Sequence, residues 1–502
     1  MKKRLFVKNA AILSATSLFL KTVGIFFRVW LSGKLGAEGM GLYQLLFSLY
    51  VLGSTLATSG LSTAVTRLVA DALAENAGKR VFGVLRRALL LSVSVAGAST
   101  LLFYAGAPLL GNVFVRDARA VSAIRVLSLG FPFMGISACL KGYFLARRKT
   151  LPPSLAQIFE QLSRIGIIAA LFWRFRGCSL ETACAVVMGG DVLSEALSCG
   201  FVAACYYRDK RVLPASVAPP KPLTRPLLSI AVPITAGRYL GTALRTAENL
   251  LVPSALAAFT ADRAAGLSQF GTLKGMAMPL LFFPASFLTA FSTLLIPEMS
   301  EALALGQTLR VKYTVRRTLH VTLVGSLLCG GLFFTCAAPL GRLLYHSDEV
   351  GFYLRILAPL VPVMYLESVV DGVLKGLNQQ TRSLLYSVAD SGLRIALILV
   401  LVPKTGMGGF LFVMLLSNFF TCFLNVRRLC VVSDTHIRWG KSVLIPALCA
   451  GCGAAAASLV CTRWLPPNDL LQTALRGLLA TVVTAAGLFF TKSLTPEELH
   501  LR

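Results

Sequence analysis

The chain breaks into apolar blocks of roughly 20 residues, again and again, with short polar gaps between them. A helix rising 1.5 Å per residue needs about 20 apolar residues to cross about 30 Å of hydrocarbon. Blocks of this length, repeated along 502 residues, leave little choice except an integral membrane protein of many helices. Composition agrees: 56% of residues are hydrophobic and 14% charged, where soluble domains carry about 25% charged residues. The ten-residue alternation of an outer-membrane barrel is absent from the pattern.

Hydropathy places fourteen spans at roughly 9–32, 41–64, 88–111, 121–143, 154–174, 182–206, 227–252, 270–296, 318–339, 352–374, 384–403, 407–425, 442–461 and 470–490. The N-terminal MKKRLFVKNAAILSATSLFL imitates a signal peptide, but its apolar character continues to Leu31, so it reads as a retained first span. The prolines and charges of 211–226 mark a linker. The expected organisation is an N-lobe over 1–210, a C-lobe over 227–430, and two extra helices with a tail over 431–502. Lys and Arg gather on alternate gaps, about 30 on one side against about 9 on the other. That bias places both termini in the cytoplasm of a bacterial cell, and it explains the net charge of +27 without nucleic acid.

Two stretches align without a gap at an offset of 230. FPFMGISACLKGYFLARRKTLPPSLAQIFEQLSRIGI starts at Phe131 and VPVMYLESVVDGVLKGLNQQTRSLLYSVADSGLRIAL at Val361. Pro132 pairs with Pro362, Met134 with Met364, Gly142 with Gly372, Glu160 with Asp390, and Arg164-Ile165 with Arg394-Ile395. The chain therefore reads as a duplication of six spans, the parallel repeat used by some transporters.

The unusual residues are cations inside the spans, each costing about 2.5–3.5 kcal/mol at a helix centre unless it faces protein or water. Lys21 and Arg28 are seven residues apart on the first span. Arg238 and Arg245 repeat that spacing on the seventh, with Glu248 three further on. Seven residues is nearly two turns, so each pair shares a face. These four are expected to line an aqueous cavity that attracts an anion, with a diphosphate as the natural guest. Glu248 would partly neutralise Arg245, and Arg67 is either an access-side contact or an ordinary cytoplasmic-edge cation. Arg125, Lys274, Arg355 and Arg476 are expected to snorkel or pair. Glu160/Arg164 and Asp390/Arg394 are expected to form ion pairs at i,i+4. Span 8 should bend at Gly271, Gly275, Pro279, Pro284 and Pro297 and act as a gate, with matching bends at Pro132, Pro359 and Pro362.

No phosphate-binding glycine loop appears, the four histidines are dispersed, and the twelve cysteines lie mostly within apolar blocks, where small apolar filler is the reading. Neither a catalytic site, a cofactor nor a metal is expected.

The segments KTVGIFFRVWLSGKLGAEGMGLYQ, SQFGTLKGMAMPLLFFPASFLTAFSTLLIPEMSEA, LGRLLYHSDEV and LAPLVPVMYLESVVDGVLKGLNQQ resemble the polysaccharide-transporter branch of the MOP exporter superfamily. Within it they are most similar to the stage V sporulation protein B group, related to bacterial lipid II flippases, over roughly residues 5–430. The resemblance implies an all-α fold of two six-helix lobes in a V around a central cavity, plus two C-terminal helices. It also implies alternating access that carries an undecaprenyl-pyrophosphate-linked sugar from the inner to the outer leaflet. Its partners would be membrane lipids, a coupling proton or sodium ion, and envelope-synthesis enzymes. Lipid II flippases carry basic residues in an Arg-x-x-Gly pattern on the first helix; Lys21-Thr22-Val23-Gly24 follows it with Lys in place of Arg, and Arg28 lies one residue later than the second cation. A multidrug extruder of the same superfamily, exporting organic cations, would instead use acids such as Asp191, Glu195, Glu367 and Asp371. A non-transporting scaffold for envelope or spore-coat assembly is the third reading.

Overall fold

A computed structural model describes residues 2–58, 60–75, 77–175, 177–210, 224–436, 439–464 and 469–491, with side chains additionally left aside at 2–11, 13, 290–298 and 462–464. The 211–223 part of the expected linker, the tail beyond 491 and the side chain of Pro297 thus lie outside the described residues.

The described chain is all helix. We label the principal helices α1 (Lys2–Thr58), α2 (Leu61–Ala74), α3 (Gly78–Ala105), α4 (Phe131–Ala146), α5 (Leu151–Arg174), α6 (Leu180–Lys210), α7 (Thr224–Thr260), α8 (Ala285–Ala304), α9 (Thr308–Tyr345), α10 (Val361–Gly376), α11 (Gln380–Ser433), α12 (Ile445–Trp464) and α13 (Asp469–Phe490). Eleven helical stretches among the described residues are long and apolar enough to cross a membrane. Two of them, at 61 and 54 residues, are too long for one crossing. Each is broken at a glycine, Gly36 (φ 68, ψ −177) and Gly406 (φ 62, ψ −141). A positive φ costs a side-chain-bearing residue strain, so glycine is the residue that lets one run double back as two. Split this way, the eleven stretches give thirteen spans among the described residues, and the segmented run over 263–304 lies where hydropathy expects the eighth.

Large apolar side chains remain exposed along these helices, among them Leu101 at 72% and Trp173 at 68%. A belt of that kind is insoluble in water and suited to lipid. The protein is a multi-pass membrane protein.

The fold carries the sequence repeat in its backbone. Helices α4 and α10 are 16 residues each, both with proline in the first turn, where its missing N–H costs nothing. Both follow breaks, at Leu129–Gly130 and at the Ala358–Leu360 3₁₀ turn. Left-handed residues recur at the same offset of 230: Arg116 (φ 56) with His346 (φ 50), and Arg148 (φ 57) with Asn378 (φ 58).

The chain divides into two compact units. One comprises Met1–Phe27 and Leu42–Ser254; the other, Arg28–Gly41 and Ala255–Arg502. Compactness thus changes hands inside α1 and α7 rather than at the linker. The first unit is centred on Leu68, Leu85, Leu140, Tyr143, Phe144 and Val202 from α2, α3, α4 and α6. The second is centred on Leu319, Leu366, Val370, Leu374 and Leu429 from α9, α10 and α11.

Candidate functional site

The expected basic residues divide by environment. Lys21, Arg67, Arg238 and Arg245 are exposed and Arg28 is half-buried. Among the described residues none of the five forms an ion pair or a side-chain hydrogen bond, whereas Arg28 acts electrostatically on the buried Tyr345 hydroxyl. Glu248 is buried at 4% exposure and has an interaction of its own, but it makes no ion pair with Arg245.

Helix α7 explains how its arginines stay at the surface of their unit. At 100° per residue, Arg238, Thr242, Arg245 and Asn249 share a face about 60° wide. Thr242 lies 3.4 Å from Thr55, and Asn249 Nδ2 donates to Ser48 Oγ at 3.0 Å. Thr246 Oγ1 donates to the Ser48 carbonyl at 3.3 Å. The polar neutral groups thus seat α7 against the second half of α1 and leave the two arginines as its polar rim. On the first half of α1, Gly24 faces Gln161 of α5, three residues from Lys21.

A second class of cation is fully engaged. In the first unit Arg164 lies 3.0 Å from Glu160, as the i,i+4 spacing predicts, and 2.8 Å from Asp191 of α6. Lys141 is 3.7 Å from Glu160, and Glu195 is buried one turn beyond Asp191. In the second unit Arg394 lies 3.1 Å from Asp390 and donates to Ser417 Oγ at 2.7 Å; Ser417 in turn donates to Asp390. Sequence reasoning found the two i,i+4 pairs and missed Asp191 and Ser417 as their third members, which come from the following span.

Three of the remaining mid-span cations lie over aromatic faces. Arg125 lies 5.8 Å from the Tyr104 ring, Lys274 5.7 Å from Phe410 and Arg355 5.0 Å from Phe334.

The expected gate has a packing role as well as a bend. Gly271–Ala277 is π-helical, and the run is interrupted again at Phe283–Pro284, just after the short Met278–Phe282 helix that holds Pro279. A Cβ on Gly271 would meet Gly41 N at 2.5 Å, one on Gly41 would collide with the Leu267 carbonyl, and one on Gly275 would lie 3.2 Å from Met40. Segments 28–41 and 267–275 therefore touch backbone to backbone within the second unit.

Three of the four acids an organic-cation pump would need are occupied: Asp191 is bound to Arg164, Asp371 is 2.5 Å from both Lys375 and Ser383, and Glu367 has partners of its own. The fourth, Glu195, is buried and forms no ion pair among the described residues. Among the described residues no cluster of His, Cys, Asp and Glu could hold a metal, and all twelve cysteines are free thiols.

Comparison with known proteins converges on one lineage. Stage V sporulation protein B of Bacillus subtilis (strain 168) is 27% identical over 413 residues, 81% of this chain and 80% of that protein. The fold superposes on Lipid II flippase MurJ in an inward closed conformation with a TM-score of 0.73 at 14% identity, covering 95% of this chain and 99% of that one. It also superposes on an inward-facing multidrug resistance MATE family transporter of the MOP superfamily with a TM-score of 0.63 at 14% identity, covering 84% and 99%. The polysaccharide biosynthesis protein family matches residues 6–303, more than half of the sequence. The chain belongs to the polysaccharide biosynthesis protein family.

Proposed function

We propose that this protein is a flippase that carries an undecaprenyl-pyrophosphate-linked sugar from the inner to the outer leaflet by alternating access. The observation that carries the reading is the set of cations on its spans, Lys21, Arg28, Arg67, Arg238 and Arg245, that have no acidic partner among the described residues. A charge kept in a span without a counter-ion is expensive, and an anionic substrate is the guest that offsets the cost. The family match and the likeness to a lipid II flippase support a lipid-linked substrate.

Two cations seven residues apart on one helix are separated by about 10 Å along its axis, farther than a single diphosphate reaches. Each pair therefore works as a ladder: the diphosphate is handed from one cation to the next. Lys21 offers a mobile point charge, whereas Arg28, Arg238 and Arg245 offer planar forks that match phosphate oxygens two at a time. Arg67, exposed on α2, is the access-side contact. Glu248 stands one turn from Arg245 on the same helix and bounds the ladder at that end. The bent run of Gly271, Gly275, Pro279 and Pro284 supplies the gate. Positive-inside bias puts both termini in the cytoplasm.

The test is movement of a fluorescent undecaprenyl-pyrophosphate sugar between leaflets of proteoliposomes, run beside export of an organic cation. Lipid movement without drug export is expected. Drug export alone would favour the extruder, and neither activity would favour a scaffold.

A further inference from the structure

In the second unit, α9, the Asp348–Leu357 helix, α10, α12 and α13 enclose a cavity of 520 Å³. Much of its wall is small, including Gly330, Gly331, Ala338, Ala450, Gly451 and Ala454, with Leu327 and Phe334 as larger apolar members. Small residues let these helices approach closely; a Cβ on Gly331 would lie 3.3 Å from Ala450, and one on Gly330 2.9 Å from the Ala358 carbonyl. Its two charged side chains are Arg355 and Arg476.

Neither arginine has an acidic partner among the described residues. Arg355 rests on the Phe334 ring, and Arg476 Nε is buried with no hydrogen-bond partner. Both stand seven residues into helices that begin at Asp348 and Asp469, about 10 Å of rise, so they converge at one depth. Two guanidinium groups lining one cavity, beside exposed apolar helix faces, call for an anion that is itself partly apolar. A guanidinium fork matches phosphate oxygens two at a time. Apolar surface for acyl chains adjoins the pocket on the same helices, at Leu448 (62% exposed), Leu459 (70%) and Leu478 (61%).

We infer that Arg355 and Arg476 form a site for the phosphate of an anionic phospholipid, whose chains lie along α12 and α13. The site is independent of the lipid that the protein moves, because none of the cations proposed for transport lines it.

The test is native mass spectrometry of the full chain released from nanodiscs of phosphatidylcholine with and without phosphatidylglycerol. The wild type is expected to retain phosphatidylglycerol in preference to phosphatidylcholine. One basic residue at a lipid surface is worth about fivefold in affinity, so Arg355→Gln with Arg476→Gln should lower it about 25-fold. Gly451→Phe fills the cavity from a position where a Cβ meets nothing within 4 Å, and it should expel the lipid with both charges intact. Should the double variant fail to fold, Gly451→Phe alone decides. Equal retention of both lipids by the wild type, undiminished retention by either folded variant, or capture of a lipid-linked sugar in place of phospholipid would each overturn the site.

Discussion

Arg164 and Lys21 are both cations inside apolar helices, and their surroundings differ completely. Arg164 is bound by two carboxylates in the first unit, the half-buried Glu160 and the buried Asp191. Lys21 is exposed, without a carboxylate among the described residues. Its counterparts Arg238 and Arg245 share that condition, as Arg394 shares Arg164's. An engaged cation holds helices together; an unengaged one is available to something outside the protein. The repeat preserves the distinction in both halves of the sequence, although the acid partner Asp191 of the first half is replaced by Ser417 in the second.

The largest effect expected from this comparison is on stability. Arg164→Ala leaves the buried Asp191 without its counter-charge and Glu160 with Lys141 alone, and should cost about 3–5 kcal/mol, read as a loss of thermal stability in detergent. Arg394→Ala leaves one carboxylate that still accepts from Ser417, so its cost should be nearer 1–3 kcal/mol, roughly that of a broken buried hydrogen bond. An Arg394 variant less stable than the Arg164 variant would break the parallel between the two knots.

Gly41→Ala should come next, at about 1–3 kcal/mol of overpacking, because its Cβ would meet the Leu267 carbonyl. If that variant were neutral, the close contact of 28–41 with 267–275 would be dispensable. The smallest stability effects belong to Lys21→Ala, Arg238→Ala and Arg245→Ala, expected within about 0.5 kcal/mol of wild type. Their effect falls on transport instead. Loss of one charge-assisted contact to phosphate, worth about 1.5–3 kcal/mol, should slow lipid movement about 10- to 100-fold.

Much of this was legible beforehand because a membrane simplifies the code. Backbone groups in lipid must be satisfied within helices, so hydropathy alone gave the all-α fold and the spans. The repeat was readable because it keeps an ungapped offset, which the left-handed residues Arg148 and Asn378 follow to the residue. Pairs on one helix, such as Glu160 with Arg164, follow from a fixed period. Partners on different helices do not: nothing in the spacing of Asp191 or Ser417 points to an arginine one span earlier. The same reason hides the packing role of Gly271 and Gly275, whose neighbours Ala37, Met40 and Gly41 lie more than two hundred residues upstream. Glycines and prolines read alone suggest a bend; only the fold shows what passes close to them.

The central claim is that the unengaged cations bind the diphosphate, and affinity measures it most directly. Binding of undecaprenyl pyrophosphate and of uncharged undecaprenol should be compared for wild type, Lys21→Ala, Arg238→Ala and Arg245→Ala in detergent micelles. The account predicts that wild type prefers the pyrophosphate and that each variant loses about tenfold of that preference while its melting temperature holds. An unchanged preference in all three well-folded variants would contradict it.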